Sequence, residues 1–220
     1  QDTGGLIPLN DPGARGRLEA LLEDLEPDEV QRAALLDALA DYRDANDDRR
    51  ANGAEKDEYL AAGLPPPANR DLRAVPELLR VRGWAEWLAA HPGFRTNDWL
   101  SASRQPVFNP NAVPEGLLAG LPGLDEADAR RIADARAERP FENAADFEAR
   151  ADVALGVDED ALRFIPNQGA LQLRLWTAGT AHAEVLAIEL TADGQYGPWQ
   201  FDSLYHVSRS SQDPVHEAPG

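Results

Sequence analysis

The chain reads as an α+β protein: a mainly helical region comes first, and an antiparallel sheet follows. Three observations predict this. Apolar residues recur at helical spacing as far as residue 149. After Gly169 the period shortens, so that Leu171, Leu173 and Leu175 alternate with Gln172 and Arg174. Nowhere do strands and helices alternate in the manner that builds a parallel sheet.

Residues 1–14 are polar and punctuated by Gly and Pro around Leu6, Ile7 and Leu9, which suits an extended lead-in. The spacing of Leu18, Leu21, Leu22 and Leu25 predicts a helix over 15–25. Pro27-Asp28-Glu29 has the form of a first helical turn, with acids at the positive end of the dipole. A second helix is expected over 30–45, with Ala34, Leu35, Leu39 and Tyr42 on one face. Residues 46–70, acidic at first and then Pro-rich, are expected to form a long loop. Short helices are expected at 75–81 and 84–90, with Trp84, Trp87 and Leu88 forming a core stripe. Two more helices should lie within 116–136, joined by Leu121-Pro122-Gly123-Leu124, and another over 143–149. Val185, Leu186, Ile188 and Leu190, then Ala192-Asp193-Gly194 as a turn, then Trp199 to Val207, complete a three-strand meander. Residues 208–220 are expected to be frayed.

With 220 residues the chain can bury a sizeable core as one or two domains. Its net charge of −18 repels phosphate backbones and anionic lipid. Nucleic acid and membrane surfaces are thereby disfavoured; cations and basic protein patches are the natural partners, unless the charge serves solubility alone. Without cysteine there is no disulfide framework and no thiolate metal site. No apolar run is long enough to span a bilayer. The chain opens on Gln1, not Met, as expected of a processed or trimmed piece.

The acids concentrate between residues 37 and 58: eight carboxylates (Asp37, Asp41, Asp44, Asp47, Asp48, Glu55, Asp57, Glu58) stand against Arg43, Arg49, Arg50 and Lys56. Asp37, Asp41, Asp44 and Asp48 would share a helix face if the helix ran that far. Asp44, Asn46, Asp48 and Glu55 fall at positions 1, 3, 5 and 12 of an EF-hand-like frame, all oxygen donors suited to Ca²⁺. The sixth position, where the EF-hand turn needs glycine, is Arg49. A differently wound oxygen-ligand site and a solvated acidic face both remain open at this point.

Asn109-Pro110-Asn111-Ala112 through Leu124, Ala129, Ile132 and Arg136 has helix-hairpin-helix spacing. Asp125, Glu126 and Asp128 beside the hairpin would repel a phosphate, so packing is the expected use. His91, His182, His206 and His216 have no metal-pair spacing, and neither a nucleophile elbow nor a phosphate-binding glycine loop occurs. No catalytic residue is assigned, and no organic cofactor is expected.

Taken in order, these segments resemble the K-type minor pseudopilins of type II secretion (general secretion pathway protein K). Four stretches carry the likeness: Asp2 to Asn10, with Ile7-Pro8-Leu9-Asn10; Asp41 to Asp47; Gly53-Ala54-Glu55 with Tyr59, Asn69 and Glu77-Leu78; and Asn109-Pro110-Asn111-Ala112 through Pro140-Phe141 to Asp146-Phe147. Tyr42 stands where the family has Trp, Asn46 where it has an acid, and Lys56 where an acid is common. The resemblance implies a pseudopilin-like scaffold: an opening at 1–14, an inserted helical domain at 15–165, antiparallel scaffold strands at 166–207 and a disordered tail at 208–220. It implies a non-enzymatic subunit at the pseudopilus tip, partnered by I- and J-type minor pseudopilins and not by nucleic acid. The expected location is the periplasmic side of the inner membrane, with membrane attachment only through an N-terminal helix absent from this chain. It also implies structural Ca²⁺ in the inserted domain, with Asp41, Asp44, Asp48 and Glu55 as ligands and Asn46, Asp47 and Asp57 next. The alternative is a helix-hairpin-helix module that binds nucleic acid or protein.

Overall fold

The computed structural model describes residues 2–23, 25–105, 107–118, 124–153, 162–165, 170–177, 179–190, 197 and 199–208. The chain divides into two compact units: Asp2–Gln168, and Gly169–Gly220 together with Gln1.

The first unit opens with β1 (Ile7–Pro8), which pairs in parallel with a two-residue strand far along the chain, Ile7 opposite Leu100. Asn10 clasps this lead-in: its Nδ2 donates to the carbonyls of Leu72 (2.9 Å) and Ala102 (2.7 Å), and its Oδ1 accepts from the Leu72 N–H (2.9 Å). Next come α1 (Arg15–Glu23), which buries Leu18, Leu21 and Leu22, and α2 (Glu29–Arg43). Asp28 is the N-cap of α2, accepting from the Val30 and Gln31 N–H groups, so the helix starts one residue past the acid. It ends at Arg43, two residues earlier than the periodicity predicts, with Asp44 as its extended C-cap.

The expected loop at 46–70 is interrupted by α3 (Lys56–Ala61). Only Tyr59 of this six-residue helix is buried, so it has no amphipathic period to read. The predicted helix over 75–81 is a 3₁₀ turn, Val75–Arg80, with proline in its first turn. Helix α4 (Trp84–Ala90) matches its prediction and buries Trp84 and Trp87; Trp84 Nε1 donates to the Leu35 carbonyl at 2.9 Å. Helix α5 (Thr96–Trp99), with no buried residue, leads directly into β2 (Leu100–Ser101).

Helices α6 (Glu115–Leu118) and α7 (Glu126–Glu138) are the two arms of the hairpin segment, and the Leu121-Pro122-Gly123 junction lies outside the described residues. The arms bury Leu117, Leu118, Ala129 and Ile132, and Arg136 reaches back to the carbonyls of Pro110 and Val113. Helix α8 (Ala144–Ala151) follows, capped by Asn143. One apolar core runs through this unit from Ile7 to Val153.

The second unit is a sheet of β3 (Ala170–Leu175), β4 (His182–Leu190) and β5 (Trp199–Ser208), antiparallel in the order β3-β4-β5. The meander is the expected one, although β4 begins earlier than Val185. In β3 the buried member of the alternation is polar: Gln172 is buried and donates to the Tyr205 hydroxyl at 2.8 Å, while Leu173 and Leu175 are exposed. The Ala192-Asp193-Gly194 turn and residues 209–220 of the expected tail lie outside the described residues.

Candidate metal centre

The C-terminal turn of α2, the connection to α3 and the α3 N-cap carry four of the predicted residues, Asp41, Asp44, Asp47 and Glu55. Asp41, on the last full turn of α2, is completely buried. Its Oδ2 accepts from the Arg50 backbone N–H at 3.2 Å, and its Oδ1 from Arg50 Nη1 at 2.5 Å. The same Nη1 donates to Asp44 Oδ2, also at 2.5 Å. Gly53 closes the wrap: a Cβ there would fall 1.9 Å from Asp41 Oδ2, so the chain passes the carboxylate only as glycine.

Glu55, the residue before α3, is 5% exposed, and neither of its carboxylate oxygens accepts a hydrogen bond from the protein. Its backbone N–H donates to Glu58 Oε2 at 3.0 Å, one half of a capping box; in the other half the Glu55 carboxylate faces the Glu58 N–H without reaching hydrogen-bond geometry. Burial raises the pKa of Glu55 to about 7, helped by the carboxylates of Asp41, Asp44 and Asp47, while Arg50 pulls the other way. A buried carboxylate with bare oxygens is costly unless a cation or donors complete it.

The remaining candidates divide. Asn46 and Asp48 are exposed and wind the start of the loop: the Asn46 N–H donates to Asp44 Oδ1 (3.3 Å), and the Asp48 N–H to Asn46 Oδ1 (2.7 Å). Asp47 Oδ1 accepts from Asn69 Nδ2 at 3.2 Å. Asp57 sits exposed in the first turn of α3 and makes none of these contacts. Asp37 shares the α2 face with Asp41, one turn earlier, but Asp48 does not reach it. Helix α2 has ended before Asp48, and Asp37 is taken up by Arg15 (2.9 Å) and by the backbone and side-chain nitrogens of Asn52.

Three residues of this region carry more than their sequence suggests. Arg50 counts there only as one of four basic groups. Gly53 and Asn69 enter only through the family likeness. Asn69 adopts a positive φ of 47°, uncommon for a non-glycine residue, and its N–H donates to the Tyr42 carbonyl at 3.0 Å. Its Oδ1 is buried without a partner in the protein. Tyr42 is fixed in turn by Glu77, which accepts from the Tyr42 hydroxyl, the Arg70 guanidinium and the Arg73 N–H. Burial alone would push the Glu77 carboxyl up, but these donors outweigh it and hold it below its ordinary value.

Among the described residues no three His, Cys, Asp or Glu side chains converge as a ready-made metal cage. What they form is an acidic cluster, buried at Asp41 and Glu55 and exposed at Asp47, with a guanidinium between the carboxylates of Asp41 and Asp44. Hard, anionic oxygen donors are the chemistry that Ca²⁺ accepts, in numbers of six to eight and with flexible geometry. By donor type, and by the two bare Glu55 oxygens, the pocket fits such an ion.

Among the described residues of the hairpin segment, the start of α7 is capped by acids: the Asp125 carboxylate accepts the Asp128 N–H (2.8 Å), and Asp128 accepts the Asp125 N–H (3.1 Å).

Two family models of type II secretion system (T2SS), protein K, match the chain, one over residues 4–91 and the other over 108–163. The first match contains the whole acidic pocket. A chain in the crystal structure of the GspK-GspI-GspJ complex from the enterotoxigenic Escherichia coli type 2 secretion system has the same fold. Its TM-score is 0.66 at 21% identity, over 96% of this chain and 78% of that one. No curated protein matches the chain significantly. Helical unit, three-stranded sheet and family matches together define a structural component of type II secretion and not an enzyme. The chain belongs to the protein K family, the minor pseudopilins of that system.

Proposed function

We propose that the chain is the periplasmic body of a K-type minor pseudopilin that caps the pseudopilus tip, assembles with I- and J-type minor pseudopilins, and uses Ca²⁺ as a structural staple. Attachment to the inner membrane before assembly belongs to an N-terminal apolar helix of the full subunit. Among the described residues no helix is long and apolar enough to cross a membrane. The partner reading is supported by the fold likeness to a chain of a complex in which K, I and J proteins crystallised together.

The calcium reading rests on one observation: a buried Glu55 with both oxygens unpartnered, within electrostatic reach of the carboxylates of Asp41, Asp44 and Asp47. Those four residues would hold the ion, with the amide oxygens of Asn46 and Asn69 nearest to them in the loop and Asp48 and Asp57 at the margin. Bound there, the ion supplies the positive charge that the pocket lacks. The gain is in stability: binding the folded chain alone contributes about 2.7 kcal/mol at a hundredfold excess over Kd. It would tie the α2 terminus to the α3 N-cap, and so order a connection that otherwise costs conformational entropy.

The test is size-exclusion chromatography with light scattering of the chain mixed with I- and J-type partners, in Ca²⁺ and again in EDTA. A 1:1:1 complex in Ca²⁺ that weakens in EDTA is expected. Three folded proteins that stay apart in Ca²⁺ would refute the assembly reading.

A further inference from the structure

We propose that Arg50 is a resident counter-charge in this pocket: its guanidinium holds the place between Asp41 and Asp44 that a divalent cation takes, and metal binding displaces it to solvent. The inference rests on the calcium reading above and concerns what this chain's own residues do in the metal-free state.

The geometry carries it. Arg50 Nη1 stands 2.5 Å from Asp41 Oδ1 and 2.5 Å from Asp44 Oδ2. Calcium–oxygen distances run at about 2.3–2.6 Å, so an ion shared by those two oxygens would occupy the position of this nitrogen. Cation and guanidinium are therefore mutually exclusive. The two ends of the ion pair also differ in freedom. Asp41 has no solvent exposure on the α2 framework, whereas the Arg50 side chain is 40% exposed on the connecting loop. A long side chain with its head near water can swing outward, and a buried aspartate on a helix cannot.

Charge accounting points the same way. Asp41, Asp44 and Asp47 all act electrostatically on Glu55, and of these four carboxylates Arg50 hydrogen-bonds only Asp41 and Asp44. A single guanidinium leaves Glu55 bare, as observed. Arg50 keeps Asp41 from being an isolated buried charge when no metal is bound, and so keeps the loop folded and ready. Its presence also lowers the affinity for the ion, because the ion must displace a pairing partner. The contact at Asp41 that remains in both states is the Arg50 backbone N–H, at 3.2 Å from Oδ2.

The experiment compares wild type, Arg50→Gln and Asp41→Asn by calorimetric Ca²⁺ titration and by thermal unfolding in EDTA and in saturating Ca²⁺. Displacement predicts that R50Q binds Ca²⁺ about fivefold tighter, as expected where a pairing of about 1 kcal/mol no longer competes, at 1.4 kcal/mol per tenfold. R50Q should melt below wild type in EDTA and together with it in saturating Ca²⁺. An R50Q chain that folds only in Ca²⁺ supports the proposal as well. Unchanged or weaker binding by R50Q, with a lower melting point in both conditions, makes Arg50 an ordinary structural arginine and overturns it. If wild type itself takes no Ca²⁺ and matches D41N in the titration, the calcium reading fails first and displacement falls with it.

Discussion

Substituting Gly53 by alanine tests whether the wrapping of Asp41 is as tight as the structure shows. The added methyl would lie 1.9 Å from Asp41 Oδ2, 2.8 Å from Asp41 Cγ and 3.3 Å from Arg50 Cβ. Asp41 cannot step aside, because it is buried and held by both the backbone and the side chain of Arg50. Forcing one carbon into a filled interior costs about 1–3 kcal/mol. Weakening a hydrogen bond to a buried carboxylate adds about 1–2 kcal/mol. A total of about 3 kcal/mol corresponds to a fall of about 6–12 °C in a domain of this size. The assay is thermal unfolding in EDTA, so that no metal masks the loss, with Gly16→Ala as the control. Nothing lies within 4 Å of a Cβ at Gly16, an exposed position in α1, so that change should stabilise by about 0.5–1 kcal/mol. A G53A chain that melts with wild type while G16A behaves as expected would show that the loop does not pass Asp41 at this distance, and the pocket geometry would fall with it.

The pH dependence has a definite sign. The pKa of Glu55 in the folded chain, about 7, lies above its ordinary 4.5. The stability that Glu55 contributes to the metal-free protein is therefore complete below pH 4.5 and lost as pH rises through 7. Glu55→Gln should remove that slope, as read from melting curves in EDTA between pH 4 and 8, a range that brackets both values. In the same window Ca²⁺ binding should weaken as pH falls below 7 and should release protons, because the ligand must be ionised; calorimetry in two buffers of different ionisation enthalpy measures the release. Asn10→Ala removes three hydrogen bonds that clasp the lead-in to Leu72 and Ala102. It should cost about 2–3 kcal/mol in any metal condition, and a loss confined to EDTA would contradict a purely structural role.

Long elements were legible because they bury one face regularly. Helices α2, α4 and α7 carry a period in the residues themselves, and Asp28 and Asn143 mark helix starts by their own chemistry; the alternation also located the β3-β4-β5 meander, but not which face of β3 is buried, since Gln172 and not its leucines is inside. Helices α3 and α5 did not show. With six and four residues they are too short to display a period or to nucleate alone, and they form because the surrounding chain holds them. The parallel pairing of Ile7 with Leu100 was equally hidden, since two-residue strands so far apart leave no local pattern. The 3₁₀ turn at Val75–Arg80 replaced an expected helix.

The acidic cluster divides along the same line. Residue order by itself determined that acids crowd 37–58, that their oxygens suit a hard cation, and that the chain resembles protein K. Which acids face one another was decided only by tertiary structure. Helix α2 stops at Arg43, so Asp48 leaves the face it would have shared with Asp41; Arg15 and Asn52 claim Asp37; and the loop brings Glu55 back beside Asp41 with Arg50 inside. The reason is physical: charge and donor type belong to single residues, whereas convergence depends on where a helix ends and how a loop closes, and those are settled by burial of distant side chains.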